Sequence, residues 1–308
     1  MSEQHPMILH HYEMSPFSEK IRLMFGFSGL SWQSLQSPEM PPRPNVDPLS
    51  GGYRRIPIAQ LGADIFCDSR LIAQEVAALG NVPGLALSGC TQEAQDYSAH
   101  LESHVFWATV FSIPIGTTLK QLYRAIGLRG AVKFLVDRAG VGKAARMNTP
   151  SFKEATTQFD RHLSDLEQRL QGDFLFGDSP CHADFAAYHT LWFKIVVAEL
   201  EMPAGFPRIE AWYRRMGEFG HGQRQNISQA DAFAAARDAM PRPLSDDLTA
   251  DTAVGSQVAV LPSDYALDSV RGILVGSSEQ RWVVARDTEQ FGTVHVHFPR
   301  QGFELTPI

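Results

Sequence analysis

The first eighty residues change their hydrophobic period in a set order, and that order limits the folds open to the chain. Residues 7–12 (MILHHY) are short and apolar enough for a strand. They lead into SPFSEKIRLMFGFSG, where Phe17, Ile21, Met24 and Phe25 fall at helical spacing. Ser15 fits the N-cap of that helix, Pro16 its first position and Gly29 its end. Residues 31–36 read as a second strand. Between Ser37 and Arg55 stand Pro38, Pro41, Pro42, Pro44, Pro48 and the pair Gly51–Gly52, so this stretch is loop. Residues 58–61 and 65–67 flank a turn and pattern as a hairpin. Asp68 and Ser69 then open a helix through Ile72, Val76 and Leu79.

The order β-α-β-loop-β-β-α is that of a thioredoxin-like domain, placed at residues 1–82. Residues 88–242 carry helical patterns almost throughout. Ser151 and Glu154 form a capping box ahead of Phe152, Phe159, Leu163, Leu166 and Leu170 on one face. A second helix begins near His182, and a third spans roughly residues 209–219. This region is an all-helical domain with enough apolar faces for a core. A linker rich in Pro, Asp and Thr (MPRPLSDDLTADT) follows. Beyond it VAVLP, GILVG, RWVVAR and TVHVHF are short β-type runs, so residues 250–308 are expected to form a small β-rich module, a barrel or a sheet.

A length of 308 residues suits two or three domains rather than one. Hydrophobic residues at 44% and charged residues at 20% are the balance of a soluble globular protein. A net charge of −7 disfavours nucleic acid and anionic membranes as partners, since both are bound by basic patches. No stretch of roughly 18 apolar residues is long enough to span a bilayer. The polar start has no secretory pattern. Cys67, Cys90 and Cys181 are scattered and lack metal-type spacing, so a reducing cytoplasm is the expected location.

Three segments carry chemistry. Ser15-Pro16-Phe17-Ser18-Glu19-Lys20-Ile21-Arg22 resembles the start of the first helix in cytosolic glutathione transferases. Arg55-Ile56-Pro57-Ile58 is similar to that family's basic-hydrophobic-Pro-hydrophobic segment, and Asp68-Ser69-Arg70-Leu71-Ile72 to its acidic-Ser-x-x-Ile motif. They fall in the family's order, and the resemblance covers about residues 7–219; the C-terminal sixty residues lie outside it. It implies a glutathione co-substrate, a cis Pro57, a homodimer, and conjugation to a small apolar electrophile or a related isomerase or peroxidase reaction.

The chemistry of glutathione suits these residues. Asp68-Ser69 at a helix start offers free N–H groups and a hydroxyl to the γ-glutamyl carboxylate, and Asp68 a partner for the ammonium. A cis Pro57, as the resemblance implies, leaves the Ile56 N–H and C=O for the tripeptide backbone. Arg55 or Arg54 is the candidate anchor for the glycyl carboxylate. Ser15 places a hydroxyl and the positive helix end beside the sulfur, with Phe17 next to it. A thiol of pKa ~8.5 needs a shift of only about 2 units, about 2.7 kcal/mol, to be mostly thiolate at neutral pH. Tyr12 is the rival to Ser15. With Ser15 and Ser18 where redox relatives have cysteines, disulfide exchange is not expected. Cys67 reads as a buried structural thiol.

Met14, Phe106, Trp107 and Phe111, with Tyr123, are candidates for the electrophile pocket. His100 and His104 share a helix face, but HLESH lacks the order of a zinc protease, and no metal is expected. Thr293, His295 and His297 read as the polar side of a strand. At the main C-terminal helix the family's hydroxyl cap is replaced by Cys181, with Asp184 in place, which weakens the helix start. A second reading of the chain is a non-catalytic binding or regulatory protein acting through its C-terminal module.

Overall fold

The computed structural model describes residues 6–146, 149–249, 251 and 253–308; residues 1–5 of the polar start and Ala250 and Thr252 of the linker lie outside it. The N-terminal domain runs β1 (Ile8–His11), α1 (Pro16–Ser28), β2 (Ser31–Gln36), α2 (Asp47–Ser50), β3 (Ile58–Leu61), β4 (Asp64–Cys67) and α3 (Ser69–Gly80). Its ends follow the local chemistry read above. Ser15 caps α1 by accepting the Ser18 N–H, and Gly29 closes it at φ 66°. β1 pairs parallel with β2 and antiparallel with β3, which pairs antiparallel with β4.

The helical domain holds α4 (Gln92–His100), α5 (Phe106–Phe111), α6 (Ile115–Ala144), α7 (Phe152–Arg169), α8 (His182–Trp192) and α9 (Pro207–Gly217). A π-helical turn, Leu101–Val105, joins α4 to α5. The Ser151–Glu154 capping box starts α7. At α8 the Asp184 carboxylate does the capping: it accepts the Cys181 and Leu175 N–H groups, each at 3.0 Å, and the Trp212 indole N–H. α8 is buried along its whole length and packs against α1. Lys20 and Arg22 of α1 are therefore enclosed rather than solvated, each with acidic partners. α6 is broken at Gly127, whose φ is 67°, and Tyr123 on it points to solvent at 61% exposure.

After β5 (Gln223–Asn226), α10 (Gln229–Arg237) and α11 (Asp246–Thr249) come β6 (Gln257–Pro262), β7 (Val270–Ser277), β8 (Arg281–Thr288), β9 (Gly292–Pro299) and β10 (Phe303–Pro307). The C-terminal strands form a sheet, and it does not stand apart. β9 pairs parallel with β4, giving one ten-stranded sheet in the order β10-β6-β7-β8-β9-β4-β3-β1-β2-β5. A lone β4 would be an unpaired edge; β9 closes it, as β5 closes the β2 edge.

One apolar cluster unites both parts, with Val258, Val270, Val284 and Val296 against Ile58, Ile65 and Cys67. His297, expected on a polar face, is buried at 3% exposure, because pairing with β4 stacks it on Phe66 and sets it 2.7 Å from Asp64.

Candidate active site

Two cavities meet where the N-terminal domain faces the helices. The smaller, about 310 Å³, is built around the start of α3. Asp68 sits there at φ 77°, a strained backbone for a residue with a side chain. Its carboxylate accepts the Arg70 N–H at 2.9 Å and the Arg70 Nε–H at 3.2 Å. Ser69 follows at the first helical position, where helix geometry leaves its N–H without an intrahelical partner. Ile56 and Pro57, joined by a cis peptide bond, line the same cavity.

Opposite them, the π-helical turn presents Glu102 and Ser103. Glu102 pairs with the buried Lys20 ammonium, lies 3.0 Å from His182 Nε2 and is 4.0 Å from Arg70. Burial opposes its ionisation, but Lys20, His182 and Arg70 outweigh it and hold the carboxyl well below the ordinary range. The cavity thus has interleaved charges: Asp68, Glu102 and Asp264 against Arg70 and Arg55. Such a lining suits a zwitterionic head group better than a simple anion.

The larger cavity, about 740 Å³, is mostly apolar. Met14, Ser15, Phe106, Trp107 and Phe111 line it, as does Tyr12. Phe17, Arg55, Ile56, Phe106 and Trp107 border both cavities. Phe17 packs 4.7 Å from the Phe106 ring and 4.8 Å from His189. Ser15 Oγ accepts the Ser18 N–H at 3.2 Å, so its own proton stays available to a ligand atom. It stands at the positive end of α1, where an anion is favoured by a few tenths to about 1 kcal/mol.

Ser15, Phe17, Arg55, Ile56, Pro57, Asp68, Ser69, Met14, Phe106, Trp107 and Phe111 each border one of the two cavities, and Tyr123 borders neither. The arginines differ from expectation in their state. The Arg55 guanidinium holds Asp264 and the Tyr265 carbonyl, and Arg54 pairs with Asp137. Neither is a free anchor for a ligand carboxylate. Glu102, Asp264, Tyr265 and Gly302 were not legible as site residues. Glu102 stands on a polar helix face like any other, and the last three arrive on loops between strands far along the chain. Among the described residues no cluster of three His, Cys, Asp or Glu side chains is arranged to hold a metal ion. No helix there is long and apolar enough to cross a membrane.

Comparison with known proteins bears on this geometry. Two family profiles match: glutathione S-transferase, N-terminal domain, over residues 9–83, and glutathione S-transferase, C-terminal domain, over residues 149–215. Among solved structures, a GST-like protein from Pseudomonas syringae is 31% identical, with 98% of this chain and 99% of that one covered and a TM-score of 0.73. At that coverage the likeness includes the C-terminal sheet. A glutathione S-transferase from Methylobacterium radiotolerans, solved with glutathione sulfonate, is 15% identical over 73% of this chain and 98% of its own, with a TM-score of 0.49. No curated protein sequence matches.

Proposed function

This chain belongs to the glutathione S-transferase superfamily, and from that premise we propose that it transfers glutathione to a small apolar electrophile. The observation that carries this reading is the meeting of a charged cavity and an apolar one at Phe17, Arg55 and Ile56, with Ser15 on the apolar side of that boundary. The γ-glutamyl group lies in the smaller cavity, its carboxylate on the Ser69 N–H and hydroxyl and its ammonium between Asp68 and Glu102. The cysteinyl backbone pairs with Ile56, which places the sulfur near Ser15. The electrophile sits among Met14, Phe106, Trp107 and Phe111.

Catalysis then rests on two effects. The Ser15 hydroxyl and the start of α1 favour the thiolate over the thiol, and the proton leaves to solvent. The paired cavities hold the sulfur beside the electrophilic carbon, so a bimolecular step becomes an intramolecular one. With a chloronitroarene the sulfur–carbon bond forms and chloride departs. Isomerisation or peroxide reduction with glutathione would use the same groups.

Calorimetric titration with glutathione, followed by a conjugation assay with 1-chloro-2,4-dinitrobenzene, tests the reading. Binding with turnover supports it; no binding at millimolar glutathione removes it. One observation favours the alternative of a binding or regulatory protein. The C-terminal sheet already supplies a carboxylate to Arg55, at the lip of the site. Binding without turnover on a panel of electrophiles would select that reading.

A further inference from the structure

The C-terminal sheet reaches the ligand cavities through two loops. The β6–β7 loop brings Asp264 and Tyr265, and the β9–β10 turn brings Gln301 and Gly302; all four line the smaller cavity. Gly302 passes so close to Arg70 that a Cβ there would stand 3.2 Å from the guanidinium.

Tyr265 does more than border the space. Its ring lies 4.0 Å from the Arg55 guanidinium, on the N-terminal domain, and 5.0 Å from Trp107, edge-on, on the helical domain. The loop is pinned at the residue before the ring, from both domains. Asp264 pairs with Arg55 through its side chain, and its carbonyl accepts the Arg146 N–H at 2.7 Å. Tyr265 and Ala266 also line the larger cavity, so the ring spans the cleft at the boundary of the two spaces.

We propose that the β6–β7 loop is a strap across the glutathione site, and that Tyr265 determines how tightly the tripeptide is held. The inference rests on the transferase reading above. A ligand with its γ-glutamyl end in the smaller cavity and its sulfur by Ser15 passes beneath the Tyr265 ring. The ring shields it from water and covers its cysteinyl-glycyl backbone, while Asp264 keeps the loop down by holding Arg55. The strap acts on binding of the tripeptide, remote from the bond that forms, so it alters affinity and leaves the chemical step largely alone.

Wild type, Tyr265→Phe, Tyr265→Ala, Asp264→Asn and Glu279→Gln are compared, the last being an exposed control on the β7–β8 turn. Glutathione affinity is read by calorimetry, and KM and kcat from conjugation. Tyr265→Ala is expected to raise Kd and KM for glutathione about tenfold, with kcat at saturation within about threefold of wild type. Tyr265→Phe keeps the ring and stays within about twofold, and Asp264→Asn raises Kd by about threefold or more. Unchanged Kd in both Tyr265→Ala and Asp264→Asn, with wild type binding normally, overturns the strap alone. If Tyr265→Ala does not fold, Asp264→Asn decides on the same readout. Wild type failing to bind glutathione overturns the transferase reading, and the strap with it.

Discussion

His297 Nε2 lies 2.7 Å from Asp64 Oδ1, and the two residues stand on β9 and β4, the strands that join the C-terminal sheet to the N-terminal domain. Asp64 also accepts the Arg242 N–H at 2.9 Å, and Arg242 and Arg281 both reach Glu75 of α3. The seam is therefore held by a buried polar network over a shared apolar core. Burial lowers the His297 pKa, so the neutral ring donates to the Asp64 carboxylate.

The first prediction concerns that seam. Asp64→Asn should cost about 2 kcal/mol of stability, the range for losing a charged acceptor inside a buried network. Burial would raise the Asp64 pKa, yet the His297 bond and Arg242 bring it below the ordinary value. A depressed carboxyl stabilises the fold above its unfolded pKa of ~3.9, and this contribution fades as the pH falls below that point. Urea unfolding of wild type and variant at neutral pH measures the cost. Equal midpoints would mean that the network contributes nothing.

A second prediction follows from the shared sheet. A chain ending at residue 242 leaves β4 as a bare edge and strips the partners of Ile58, Ile65 and Cys67. It should aggregate on expression rather than fold as a two-domain protein. A soluble truncated chain with the full-length protein's near-ultraviolet dichroism would show the C-terminal sheet to be a separable module.

Buried histidines set a third expectation. Burial lowers His10 and His162 to about 4 and His11 and His189 to about 3. Unfolded, each titrates near ~6.5, so their stabilising effect is complete above that pH. It declines as the pH falls toward about 4, by on the order of 1 kcal/mol per histidine per pH unit. Stability should therefore drop steeply between pH 6.5 and 4.5 in a thermal series. A flat profile in that window would show that these rings protonate freely in the folded state.

For the ligand site, Glu102→Gln removes a carboxylate of the smaller cavity, the one proposed to face the γ-glutamyl ammonium, while keeping the side-chain shape. Glutathione affinity should fall by about tenfold, comparable to one lost charged hydrogen bond. Calorimetry with glutathione, and with a derivative lacking the amino group, checks the assignment. The variant should discriminate between the two less than wild type does, Asp68 remaining as a partner; if it discriminates as wild type does, Glu102 does not meet the ammonium.

Local chemistry made much of this fold legible. The caps Ser15, Gly29 and Ser151 and the hairpin turn before Ile65 act within a few residues, and their elements stand where the pattern put them. The parallel pairing of β4 with β9 joins Ile65 to Val296, far apart in the chain, and no short-range signal announces it. The same distance hid Tyr265 as a neighbour of Arg55. Lys20 and Arg22 carry no local sign of burial, and only the packing of α8 encloses them. Residues 223–226 fall inside the stretch read as all-helical, and they form β5 because β2 gives them a partner.

The central claim is that Ser15 stabilises the thiolate of bound glutathione. The pH dependence of kcat/KM for conjugation, measured for wild type and Ser15→Ala, tests it most directly. The account expects an apparent thiol pKa about 2 units below the free value in wild type and a return toward ~8.5 in the variant, with glutathione Kd within about threefold. Superimposable profiles, with undiminished turnover, would contradict it and move the role to Tyr12.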